Sequence, residues 1–278
     1  MGRRRRRTAI DGREGAELKV VLFCGGEGLR LREYSDLVPK PMVPIGQRPI
    51  LWHNMRYYAH WGHTEFILCL GYKADVIKNY FLNYNEALSN DFILSGDGEL
   101  ELLGSDIHNW RITFVDTGLN ARIGERLRAV QHHIGDDEIF LANYGDDLTD
   151  APINDLIEDF KTRNKVAAFL SVRPTHTFHV VGQRDDGTVT GIHHVAESGL
   201  RINGGFFIFR RAIFDYIQPG EELVEQPFER LIADEQLVTY PYEGFWAPMD
   251  TLKDQQNLEA LYDRGSPPWA LWREPTTR

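Results

Sequence analysis

Cysteine is scarce: Cys24 and Cys69 are the two in 278 residues, each inside or beside an apolar run. That excludes a disulfide framework and a CxxC metal spacing, reads both as small buried thiols, and makes a reducing, cytoplasmic compartment the expectation. Long hydrophobic runs are missing too. No stretch approaches the ~18 apolar residues of a membrane span, so no membrane partner is expected. Positive charge is in deficit, with 31 Lys and Arg against 41 Asp and Glu, a net of -10. An acidic surface repels a phosphate backbone, which argues against nucleic acid as the main partner. Motifs of covalent or metal-hydroxide chemistry are also lacking: there is no G-x-S-x-G and no H-E-x-x-H. The adjacent pairs His132-His133 and His193-His194 do not share a helical face and read as surface or packing residues.

The exception to the acidic balance is the run Arg3 to Arg7, followed by residues 8–16 without apolar period. Residues 1–17 are therefore expected to form a disordered basic tail. A nucleic-acid patch is the alternative, and it predicts salt-sensitive DNA binding. No apolar segment follows the arginines, so they do not open a secretory signal.

What is present is alternation. Residues 19–23 (KVVLF), 65–70 (EFILCL), 112–115, 138–143 (EIFLAN) and 167–172 read as buried strands. Between them lie helical stripes: Ile50, Leu51, Met55, Tyr58 and Ala59 ending at Gly62; Val76, Ile77, Tyr80 and Phe81; Leu127, Val130 and Ile134; Ile153, Leu156, Ile157 and Phe160. Residues 83–110 fit loops and short strands better than any sustained period and read as an irregular insertion. Asp186-Gly187 signals a hairpin, residues 202–209 (INGGFFIF) a strand, Phe228, Leu231 and Ile232 a short helix, residues 237–242 a strand and 252–262 a closing helix. Trp269 and Trp272 form an aromatic end expected to dock on the body. The fold class is α/β: a mainly parallel mixed sheet with helices on both faces, right-handed crossovers, and ligands beyond the carboxyl ends of the strands.

Two loops lie at that edge. After residue 23 comes Gly25-Gly26-Glu27-Gly28-Leu29-Arg30, which is neither a Walker loop nor a dinucleotide fingerprint. Its glycines let backbone N–H groups approach an anion, and Arg30 can grip phosphate oxygens bidentately. Lys40 stands between Pro39 and Pro41, which fix its backbone before the ammonium meets a ligand. Asp146 follows the strand at 138–143, and Asp250 lies in a turn before the closing helix. Converging beside a phosphate loop, those two carboxylates would hold Mg2+. A helix N-cap is the plain reading of Asp250, although Thr251 fits that role too.

The ordered set GGEGLRL, PKPM, GQRPILWH, LGYK, VDTG, NYGDD, INGGFF and FWAPMDT resembles the sugar-1-phosphate nucleotidyltransferases, the glucose-1-phosphate cytidylyltransferases within them most of all. The likeness runs over residues 18–273. It implies one nucleotidyltransferase domain over residues 18–278, a Rossmann-like nucleotide-diphospho-sugar transferase fold with a small C-terminal appendage, and a homo-oligomer. It implies Mg2+-dependent coupling of an NTP, CTP above all, to a sugar 1-phosphate, with release of pyrophosphate. Carried over, Gly25, Gly26, Gly28 and Leu29 bind the triphosphate, Arg30 and Lys40 are the catalytic cations, and Gly145 and Arg126 serve the nucleotide. Asn203 and Gly204 meet the sugar substrate, and Asp146 and Asp250 hold the metal. The alternative is a nucleotide-sugar binding homologue without turnover.

Two departures stand out. The loop after VDTG reads Leu119-Asn120-Ala121-Arg122-Ile123-Gly124-Glu125-Arg126, where relatives carry small hydroxyl residues and Gly-Gly-Arg. Near residue 193, where relatives place a Glu-Lys-Pro whose lysine meets the sugar phosphate, this chain has Ile192-His193-His194-Val195-Ala196-Glu197. Arg201 is the nearest cation in sequence. The expectation is an altered phosphate grip, with glucose 1-phosphate or a related acceptor, such as a modified sugar or a cyclitol phosphate, as the substrate.

Overall fold

A computed structural model describes residues 17–26, 38–174 and 178–273. The tail with Arg3 to Arg7, and Gly28, Leu29 and Arg30, lie outside the described residues. The main strands are β1 (Val20–Phe23), β2 (Glu65–Leu70), β3 (Arg111–Asp116), β4 (Ile139–Tyr144), β5 (Ala167–Val172), β6 (Phe207–Arg210) and β7 (Leu237–Tyr242). Their order is β3-β2-β1-β4-β6-β5-β7, and with the two-residue strand Ile202–Asn203 beside β5 they form an eight-stranded sheet. β1 pairs in parallel with β2 and β4, and β2 with β3. β6 is antiparallel to both of its neighbours. The expected mixed, mainly parallel sheet is found, and the antiparallel strand sits where the chain returns through residues 202–210.

Strand alternation divides the core. Val20, Leu22, Leu68 and Leu141 face one layer; Val21, Phe23, Ile67 and Ala142 face the other. Into the first layer pack helices α1 (Ile50–His60), α2 (Ala74–Leu82) and, after α3 (Ile123–Ala129), α4 (Ile153–Arg163); α3 and α5 (Gln226–Ala233) cover the second. On α4 the predicted stripe Ile153, Leu156, Ile157 and Phe160 is the buried face. Gly62 ends α1 at φ +92, its N–H bonded to Ala59 O. Helix α6 (Leu252–Asp263) closes the chain.

Three expectations need correction. The stripe Leu127, Val130 and Ile134 belongs to two pieces: α3 ends at Ala129, Val130 leaves helical geometry, and a single turn Gln131–Ile134 follows. All three side chains are buried, so periodicity reported burial and missed the break. Residues 202–209 are not one strand, because Gly205 and Phe206 take positive φ and split it. Ile232 is 62% exposed and does not mark the buried face of α5. The insertion at 83–110 has the short strands expected of it, paired as a hairpin, Phe92–Leu94 with Leu100–Leu102.

The aromatic end docks as expected. Trp269 is fully buried, and its Nε1 donates to Nδ1 of His53 at 3.3 Å, while His53 Nε2 bonds Ile45 O at 2.9 Å. With a donor already facing Nδ1, His53 is fixed neutral with its proton on Nε2. Burial pushes its pKa down to about 4 from 6.5, the Ile45 carbonyl resisting only in part. The unfolded chain takes up this proton below about 6.5 and the folded one only near 4. The contribution of His53 is thus full above pH 6.5 and lost as pH falls toward 4, about 3 kcal/mol in all. Between pH 7 and 4 the wild type should lose about that much more unfolding free energy than His53→Gln. Equal losses in denaturant titrations would contradict the assignment.

Candidate active site

Asp146 and Asp250 are brought together by a short ladder. After β4 the chain turns through Gly145 and Asp146 into the strand Asp147–Thr149, which pairs antiparallel with Trp246–Pro248, Pro248 opposite Asp147. Met249 N–H donates to Asp146 O at 3.1 Å, so the residues flanking this pair face each other across the turn. Thr251 is the N-cap of α6: its Oγ1 accepts from Asp254 N–H, and the Asp254 carboxylate returns to the N–H groups of Asp250 and Thr251. That settles the N-cap alternative for Asp250 and leaves its carboxylate to the site.

Between the two carboxylates lies Lys40. It opens a one-turn 3-10 helix, Lys40–Met42, held by Met42 N–H to Pro39 O. Its ammonium pairs with Asp146 and lies 2.6 Å from Asp250 Oδ1. Burial works to lower the lysine pKa, but the carboxylates of Asp146 and Asp250 more than reverse it, and the ammonium is held above the ordinary lysine range. Asp147, next along, is buried; burial and then the Asp146 carboxylate raise its pKa well above the usual carboxylate range. Cys24, beneath Gly145, has its thiol pushed up by burial and offers no nucleophile.

The acidic pair suits a hard cation. It already converges on one positive centre, the Lys40 ammonium. Among the described residues no group of three or more His, Cys, Asp or Glu could hold a metal. Two carboxylates completed by waters and substrate phosphates match the habit of Mg2+.

Arg126 stands elsewhere than a direct nucleotide contact requires. It is 2% exposed; Nη1 donates to Thr117 Oγ1 at 2.7 Å and Leu70 O at 3.2 Å, and Nη2 to Gly25 O at 3.1 Å and Leu119 O at 3.2 Å. It therefore staples the loops after β1, β2 and β3 to one another. Gly25 is required by this staple, since a Cβ there would overlap the guanidinium. Gly26 is exposed, with open space where a Cβ would stand. Asn203 Oδ1 accepts from Gly205 N–H at 2.9 Å. Gly204 is buried, its N–H bonded to Leu170 O and its C=O to Trp246 Nε1, so it shapes the strand break and offers no free donor. Gly205, φ +70, lies against Asn143 and Asp147, tying that break to the acidic turn.

Sequence reasoning passed over Asn54, whose Nδ2 bridges the carbonyls of Tyr144 and Asp147 at 3.0 and 2.9 Å and so holds the acidic turn. An asparagine within a helix gives no signal of such a role. Arg173 and Glu243 were also passed over.

A mainly parallel sheet with a glycine-ended β1, and a lysine between two carboxylates at the strand ends, define a phosphate-handling α/β transferase. The chain belongs to the nucleotidyl transferase family, whose model matches residues 19–254. It is 37% identical over 256 residues to the glucose-1-phosphate cytidylyltransferase of Salmonella typhimurium, covering 92% of this chain and 100% of that one. A mannose-1-phosphate guanyltransferase of Gibberella zeae is 26% identical over 254 residues, covering 88% of this chain and 64% of the relative. Among solved structures, a UDP-glucose pyrophosphorylase complexed with UDP-glucose aligns with TM-score 0.66 at 14% identity over 90% of this chain and 99% of that one. HddC from Yersinia pseudotuberculosis aligns with TM-score 0.62 at 20% identity, covering 88% and 99%. At those identities the structural likeness concerns the fold.

Proposed function

We propose that this enzyme couples CTP to glucose 1-phosphate, giving CDP-glucose and pyrophosphate. Nucleotidyl transfer to a sugar 1-phosphate is the activity that its family and its full-length likeness to glucose-1-phosphate cytidylyltransferases support. The observation that carries the reading is the meeting of Lys40 with Asp146 and Asp250, from three distant parts of the chain. A phosphate oxygen of the sugar attacks the α-phosphorus of the nucleotide, and the bond to the bridging oxygen of the leaving pyrophosphate breaks. The reaction brings anions together, so its demands are positioning and cationic screening, with no covalent nucleophile.

In this reading Lys40 leaves its carboxylates for the phosphates and neutralises them during attack. Asp146 and Asp250 would hold Mg2+, which would supply screening of the phosphate charge. Arg30, with Gly28 and Leu29 outside the described residues, grips the departing pyrophosphate. Gly25, Gly26 and Gly145 let the nucleotide lie close to the backbone, Arg126 fixes their loops, and Asn203 and Gly204 form the sugar side. The domain spans residues 18–278 behind a basic tail. A cytoplasmic location belongs to the reading as well; separately, among the described residues no helix is long and apolar enough to cross a membrane. A binding homologue without turnover is not favoured, because the lysine and both carboxylates are kept together. Crossing four nucleotides with several sugar 1-phosphates and scoring pyrophosphate should give CTP and glucose 1-phosphate the highest kcat/KM. A clear preference for another pair would overturn the substrate assignment while leaving the reaction class standing.

The reading includes a homo-oligomer, supported by the hairpin Phe92–Leu94/Leu100–Leu102. Its register sets Phe92 opposite Leu102 and Leu94 opposite Leu100, an apolar quartet on one face, and all four are exposed. A lone two-stranded sheet is marginal in water, and such a patch marks a protein contact. By sedimentation the wild type should be a defined oligomer and the double variant Phe92→Glu, Leu102→Glu a smaller species. A monomeric wild type would contradict this.

A further inference from the structure

Three strands end side by side at the rim of the sheet. β5 pairs Ser171 with Asn203 and Val172 with Ile202 on one side, and Val172 with Tyr242 on the other. Continued by one residue, that register sets Arg201, Arg173 and Glu243 in a row. Strand alternation places Arg173 on the side of Ser171 and Arg201 on the side of Asn203.

The contacts agree. Arg173 Nε donates to Glu243 Oε2 at 2.7 Å, and its Nη1 to Ala196 O at 3.1 Å. Arg201 Nη1 donates to Ser171 O at 2.8 Å, and its Nη2 pairs with the other oxygen of Glu243. Two guanidinium groups thus share one carboxylate, an excess of one positive charge. All three side chains are open to solvent, at 52%, 30% and 56% exposure. Ion pairs this exposed contribute little, so Glu243 is readily displaced by a stronger anion. A guanidinium fork matches a phosphate as well as it does a carboxylate.

The place of the row matters. It adjoins Asn203, and the break that follows Asn203 rests, through Gly205, on Asn143 and on Asp147 beside Asp146. It also meets the turn after the hairpin His179–Gln183/Val189–His194, through the bond from Arg173 to Ala196 O. The strand end His193-His194 and the turn Val195–Glu197 supply no ammonium; His194 Nδ1 is engaged by Ala196 N–H. Cationic charge at this corner therefore comes from the sheet beneath the hairpin.

We propose that Arg173 and Arg201 together grip the phosphate of the sugar 1-phosphate, and that Glu243 is the internal anion which this phosphate displaces. The inference rests on the transfer reaction proposed above and names the residues that hold its acceptor.

The test is steady-state kinetics of the full chain with CTP, glucose 1-phosphate and Mg2+, each substrate varied in turn. Arg173→Ala and Arg201→Ala should each raise KM for glucose 1-phosphate about tenfold or more, with KM for CTP changed by less than about twofold. Arg201→Lys should recover part of the loss. Because Arg201 also ties down Ser171, Glu243→Gln serves as the variant that keeps that bond; it should lower KM for glucose 1-phosphate, and a rise would count against the proposal. A wild type that turns over while both alanine variants keep its KM for glucose 1-phosphate, or raise both KM values alike, overturns the inference alone. A wild type that turns over no pair of substrates counts against the reaction itself.

Discussion

Lys40→Ala should lower kcat/KM about 10²- to 10³-fold, roughly 3–4 kcal/mol of transition-state stabilisation, the range found when a preorganised electrostatic partner is removed. The reason lies in what surrounds the ammonium. It is mostly buried, paired with Asp146 and 2.6 Å from Asp250, so its charge is exerted where bulk water does not screen it. The fold should survive, because the turn of Lys40 is set by Pro39 and Pro41 and by the Met42 to Pro39 bond. What the variant leaves behind is two carboxylates facing each other without their cation. Mg2+ alone, without substrates, should therefore raise the melting temperature of Lys40→Ala more than that of the wild type. Asp146→Asn should lose turnover comparably and lose the Mg2+ response as well. Near-normal rates in either variant, or a Mg2+ shift unchanged by Lys40→Ala, would sink the assignment.

Gly25→Ala and Gly26→Ala, adjacent substitutions in one loop, are expected to behave oppositely. A Cβ at Gly25 falls within the Arg126 guanidinium, which must then abandon acceptors on three loops. Overpacking and lost charged hydrogen bonds together should cost about 2–4 kcal/mol of stability. A Cβ at Gly26 meets nothing within 4 Å, so the protein should fold with a change of less than about 0.5 kcal/mol. Its effect belongs to the ligand: Gly26→Ala should raise KM for the nucleotide while leaving the melting curve alone. Denaturant titration beside kinetics separates the two. Equal stability losses would contradict the staple, and an unchanged nucleotide KM in Gly26→Ala would contradict the close approach of phosphate.

Much of the sheet was legible because its strands are buried on both faces: continuous apolar runs such as VVLF and EFILCL have few other homes in a soluble chain. Lys40, Asp146 and Asp250 were legible for a different reason. Prolines and strand ends fix where they stand, and converging charges at a sheet edge have a chemical purpose. Arg126 was legible only through the resemblance, as a residue serving the nucleotide; its engagement by Leu70, Gly25, Thr117 and Leu119 joins parts of the chain that no local pattern connects. The break at Gly205 and Phe206 escaped notice because strand-forming residues flank the Gly204-Gly205 pair on both sides, while the partner that holds it, Asn143, is distant in sequence. Arg173 and Glu243 gave no local signal at all. Their meaning comes from register across three strands, which pattern along one chain does not carry.

The most direct measurement is product formation by the purified full chain given CTP, glucose 1-phosphate and Mg2+. The account predicts CDP-glucose and pyrophosphate in equal amounts, at a rate in the ordinary enzyme range of about 1 to 1000 per second, and none of either when glucose 1-phosphate is left out. Pyrophosphate released from CTP without the sugar, or no product with any sugar phosphate, would contradict it.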